Sequence, residues 1–146
     1  MKTKKQARGF SLIEVLVGLF LVAVAVLGLA ELFLAAVANN LKADRAANAT
    51  FLAQQQVDWL RGFTGDELAA YAGSTLATRD EILDLNLDGT NDYRRITEVV
   101  STTATTYRIG VHVYSAEKFG IADPQTLIDF PEEHRPRAFI STIITR

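Results

Sequence analysis

The sequence holds no cysteine, one tryptophan and three prolines, and every proline lies beyond position 123. Without cysteine no disulfide can staple the fold, although any exported part would meet an oxidising compartment. Stability must come from packing or from a bound ion. Neither proline nor glycine interrupts residues 29–61, so nothing there breaks a helix. Charge is scarce near the start: Glu14 is the only charged residue in 10–30. A P-loop, a Gly-x-Gly-x-x-Gly turn and a Gly-x-Ser-x-Gly elbow are all missing. The two histidines, His112 and His134, have no metal-ligand partner at useful spacing. With no nucleophile, base or metal set to assemble, the residues argue against an enzyme.

What is present is unevenly placed. At 146 residues the chain has room for one modest domain, and its 49% apolar residues crowd toward the N-terminus. At the helical rise per residue, positions 10–30 reach about 31 Å, roughly the hydrocarbon thickness of a bilayer. Ahead of them stand Lys2, Lys4, Lys5 and Arg8 without an acid, a leader that stays on the cytoplasmic side. The net charge is −2; taking those four bases from the 15 leaves 11 against 17 acids, which gives no footprint for nucleic acid.

Such a start can be read in three ways. A secretory signal is one, since Ala36, Val37 and Ala38 supply an A-x-A site, but the apolar run exceeds the usual h-region of about 7 to 15 residues and contains Glu14. A plain membrane anchor is another. It leaves Glu14 unexplained, because an isolated acid in a spanning helix costs about 2.5 to 3.5 kcal/mol on insertion scales, less near the interface. Cleavage after Gly9 is the third: the new ammonium at Phe10 would lie one helical turn from Glu14, at i and i+4 on the same face.

The stretch GFSLIEVLV, residues 9–17, resembles the cleavage and methylation motif of type IV prepilins and type II secretion pseudopilins. The resemblance implies a membrane aspartyl prepilin peptidase that cuts between Gly9 and Phe10 and methylates the Phe10 amine. It also implies that Glu14 pairs with the N-terminus of a neighbouring subunit during assembly. A paired carboxylate and ammonium are tolerated in an apolar core where either alone is strongly unfavourable. Residues 23–30, ending Leu-Gly-Leu-Ala, look most like PilV-type minor pilins, while pseudopilins of the I type share the leader motif. The proline that kinks many major pilins is absent, with Glu31 in its place.

The rest of the chain predicts an α+β fold, a long N-terminal helix packed on a small antiparallel β-sheet, which is also the pilin-like architecture. The expected division is a leader over 1–9, a transmembrane and assembly helix over 10–38, its amphipathic lower half over 39–62 and a globular sheet head over 63–146. Helical spacing gathers Ala49, Leu52, Ala53, Val57, Trp59, Leu60 and Phe63 on one face to cover a sheet, Trp59 as core packing. Gly62 and Gly65 end that helix, and Thr64 with Glu67 forms a capping box for a short helix through about Ala72. Residues 107–114 alternate as a strand, with Arg108, His112 and Tyr114 on one face. Residues 93–101 and 138–145 give two more strands, 102–106 a hairpin, and 115–135, with Pro124 and Pro131, a surface loop for a neighbour or target.

Residues 84–92 resemble the front of an EF-hand-like calcium loop. Asp84, Asn86, Asp88 and Asp92 offer side-chain oxygens, Thr90 its carbonyl, and Gly89 the sharp turn. Position 95 is arginine where the usual bidentate acid would stand, and Asp88-Gly89 is equally hairpin chemistry. Expected partners are prepilin peptidase, other minor and major pilins or pseudopilins, and the bacterial inner membrane before assembly, crossed once with the C-terminal domain outside. The competing functions are a minor pilin that primes or modifies a pilus, a type II secretion pseudopilin, and an exported soluble binding domain released from a signal peptide.

Overall fold

The computed structural model describes residues 11–75, 79–121 and 123–146. The chain divides into two units, Met1–Lys42 and Ala43–Arg146, each described by itself. Helix α1 runs Leu12–Arg61. In the first unit every described residue is exposed, including Leu19, Phe20, Leu27 and Phe33. A helix apolar on all sides is at home in lipid or among other apolar chains, and α1 is long and apolar enough to cross a membrane.

The second unit is a helix-on-sheet domain. From Ala49 onward α1 becomes one-sided: Ala49, Leu52, Ala53, Val57 and Leu60 are buried, as the spacing predicts. Burying each Val or Leu contributes about 1.5 to 3 kcal/mol. Gln56 is buried with them and donates to the Tyr71 hydroxyl at 3.4 Å. Trp59 corrects the expectation, being half-exposed at the rim with its ring edge against Phe63 at 4.4 Å. The helix ends at Arg61; the Gly62 N–H donates to the Trp59 carbonyl at 3.1 Å, and a Cβ on residue 62 would stand 3.3 Å from that oxygen.

Helix α2 covers Gly65–Gly73 and has the predicted capping box. The Thr64 N–H and hydroxyl donate to the Glu67 carboxylate at 2.7 and 2.8 Å, which holds its pKa below the usual range. Four antiparallel strands follow, β1 Asp80–Leu83, β2 Tyr93–Thr103, β3 Thr106–Ser115 and β4 Ala138–Thr145, in the order β1-β2-β3-β4. Register is set by pairs such as Val99 with Ile109 and Val113 with Ala138. One sheet face places Val99, Tyr107, Ile109, Val111, Val113 and Ile144 in the core with α1 and Leu68.

The opposite face is covered too, which changes the reading of residues 115–135. Ala116–Lys118 forms a 3-10 turn, and helices α3, Pro124–Asp129, and α4, Pro131–His134, follow. Both prolines open helices, where their missing N–H costs nothing, and Asp123 caps α3 through the Gln125 N–H at 3.0 Å. Leu127 joins Ile96 and Tyr114 in a second buried cluster, and the Tyr114 hydroxyl donates to the Leu127 carbonyl at 2.7 Å. The segment expected as a surface loop is partly core.

Candidate assembly site

Of the residues expected to carry assembly, Gly9 and Phe10 lie outside the described residues. Glu14 lies in the first turn of α1, where a carboxylate complements the positive end of the helix dipole. Its backbone N–H donates to the Ser11 carbonyl at 3.0 Å. Among the described residues its carboxylate has no hydrogen bond and no ion pair. Leu12, Val15, Leu16 and Val17 surround it, all exposed. Among the described residues the site is therefore an unpaired acid on an apolar cylinder, and in a membrane or a packed bundle such an acid needs a cation.

The loop 84–92 is held together by its own side chains. Asp84 accepts the Leu87 and Gly89 N–H groups at 2.8 and 2.9 Å, and Asp92 accepts that of Leu85 at 3.0 Å. Asp88 accepts the Thr90 N–H at 2.8 Å and its hydroxyl at 2.5 Å, which lowers the Asp88 pKa. Asn86 accepts the Asp88 N–H at 3.1 Å. Gly89 takes φ 86°, as the sharp turn requires, and Leu87 φ 58°. Among the described residues no three or more His, Asp or Glu side chains stand together in a way that could hold a metal ion. The loop's acids cap amides, and calcium rests on the sequence spacing.

Three arginines whose pairing sequence reasoning did not anticipate bind the second unit together. Arg94 forms a bidentate pair with Asp80, Nε to Oδ1 at 2.8 Å and Nη2 to Oδ2 at 2.6 Å, and its Nη1 donates to the carbonyls of Lys118 and Ile121. It ties β2 to β1 and to the connector. Arg95, its neighbour on the other face, pairs with Glu81 and donates to the Leu52 carbonyl of α1 at 3.2 Å. Arg79 donates to the Ser74 carbonyl at 3.0 Å and the Val99 carbonyl at 3.5 Å. The alternation of apolar side chains hides these groups. The signal that could have found them is charge spacing, two acids at 80 and 81 opposite two bases at 94 and 95.

His112 lies, as predicted, on the same sheet face as Arg108 and Tyr114. It is buried between Tyr114 and Phe139, its ring 4.5 Å from that of Phe139, and among the described residues neither ring nitrogen has a hydrogen-bond partner. Burial pushes its pKa down from the ordinary 6.5. It packs as an aromatic ring.

Residues 4–30 match the family model described as the prokaryotic N-terminal methylation motif. No curated protein and no solved structure gives a match. The matched stretch takes in Lys4, Lys5 and Arg8 of the leader, Gly9, Phe10, Glu14 and the apolar run to Ala30, and it supports a type IV pilin-like precursor.

Proposed function

We propose that the chain is a minor pilin subunit of a type IV filament, cut between Gly9 and Phe10 by prepilin peptidase, methylated at Phe10 and then built into, or priming, the fibre. It is structural and not an enzyme. Residues 10–38 hold it in the bacterial inner membrane before assembly, with 39–62 and the head 63–146 on the outer side. The observation that carries the reading is Glu14, a carboxylate without an ion pair among the described residues, set in an exposed apolar helix inside the matched motif. In an apolar bundle that acid calls for an opposite charge, and the Phe10 ammonium of an adjacent subunit is the one the motif provides.

The test is Glu14→Val in the native host. The variant helix is more apolar, so membrane insertion should persist while recovery in sheared filaments falls at least tenfold. Recovery equal to wild type would defeat the pairing. The methylation motif serves a secretion pseudopilin equally, and a deletion strain separates the two: pilus loss favours the pilin, loss of type II secretion the pseudopilin.

A further inference from the structure

The two edges of the sheet are built differently. β1 is four residues long and carries two acids, Asp80 and Glu81, both engaged by arginines. Short, charged edges are how soluble domains keep other strands away. β4 is eight residues long, AFISTIIT, without a charge, a proline or a glycine. Among the described residues its only strand neighbour is β3. Phe139 and Ile143 on its outer face are 54% and 67% exposed. It has the composition that pairs readily with another extended chain.

The open groups can be assigned. The Arg146 N–H donates to the Thr105 carbonyl at 2.8 Å. Bonded positions recur every second residue in an antiparallel pair, so 144, 142 and 140 bond β3, and Thr145, Ile143, Ser141 and Phe139 turn their N–H and C=O groups outward. Beside this edge a cavity of about 300 Å³ opens between Ile140 and the Gln54, Val57, Asp58 and Arg61 positions of α1, room for an inward side chain of an added strand.

Charge selects the occupant. Residues 135–146 contain Arg135, Arg137 and Arg146, all exposed, and no acid; Arg137 stands 4.0 Å from Glu117, while Arg146 donates to the Phe63 and Arg61 carbonyls and keeps its charge. A second copy in symmetric antiparallel pairing about Ser141 would set each Arg146 opposite Pro136, between Arg135 and Arg137 of the other chain, with like charges at both ends. We propose that β4 is a docking edge for an extended segment of a different chain, alternating in β-branched or apolar residues and flanked by acids, which adds a fifth strand to the sheet. The inference stands on the second unit alone, so its failure would leave the reading of residues 10–38 intact.

The experiment uses the full chain in detergent micelles and two fluorescein-labelled peptides, EEVTVTVTEE and KKVTVTVTKK, followed by anisotropy. The acid-flanked peptide should bind at least tenfold more tightly than the lysine-flanked one. Ser141→Pro removes only an outward N–H, so its melting curve should stay near wild type while binding drops at least tenfold. Ile143→Asp, on an exposed side chain, should weaken binding by a second route. Equal binding of both peptides, no binding to wild type, or undiminished binding to both variants would overturn the proposal. So would a wild-type dimer that Ser141→Pro dissolves, which would make the occupant a second copy.

Discussion

Arg94 is 4% exposed and its partner Asp80 15%, so their bidentate pair works away from bulk water, where removing one charge strands the other. Breaking a buried pair this way costs about 3 to 5 kcal/mol. Arg94→Ala should lower the unfolding free energy of the second unit by about 3 kcal/mol in urea titration. The double change Arg94→Met with Asp80→Leu should recover part of that, since no charge is left alone. It should not recover all, because the connector carbonyls of Lys118 and Ile121 still lose their donor. A loss under about 1 kcal/mol for Arg94→Ala would dismiss the clamp.

His112 offers a second prediction, with the opposite chemistry. Because burial lowers its pKa, the folded chain binds fewer protons than the unfolded one as pH falls below the ordinary value of 6.5. The stability it confers is full above that value and is lost as pH drops toward the lowered one. The Glu98 carboxylate approaches the same space, since a Cβ on Gly110 would lie 3.4 Å from Glu98 Oε2 and 3.5 Å from His112 Nε2, yet the ring makes no hydrogen bond to any described residue. Thermal melts between pH 7.5 and 5 should show a decline in wild type that is shallower in His112→Phe. Parallel curves would contradict the assignment.

Among the elements, those with a strong period were legible. The lower face of α1, the capping box at Thr64 and the three long strands each show a pattern that local rules resolve. β1 was not legible because half of its four residues are acids, which strands usually avoid, and its pairing depends on Arg94 and Arg95 across the sheet. The connector misled for a related reason. Its prolines read as loop, but each stands at a helix start, and Leu127 is buried only once the strands exist to meet it. Trp59 falls at the margin of the apolar arc, where spacing alone does not decide between core and rim.

The loop 84–92 tests the limit of motif reading. Its spacing suits a hard cation, while the observed bonds direct its acids at amides of the same loop. The calcium proposal predicts heat of binding and a raised melting temperature in millimolar calcium, both reduced in Asp84→Asn. Absent heat and an unshifted melt would remove it and leave an amide-capped turn leading into β2.

For the molecule as a whole, two solvents explain two compositions. The exposed apolar helix of the first unit suits lipid or a bundle of like helices, whereas the second unit has its own core, arginine pairs and polar surface. The methylation motif at the start was legible because a short stretch of sequence carries it and no tertiary context is needed. The Arg94 and Arg95 pairs were not, because their partners become neighbours only through the fold.

A prepilin of the proposed kind keeps its apolar helix in the mature protein. The intact mass and N-terminal sequence of the protein from native-host membranes test it directly. The expected result is a start at Phe10 with a methylated amine and with residues 10–38 retained. A start at Asn39, or an uncut leader, would contradict it.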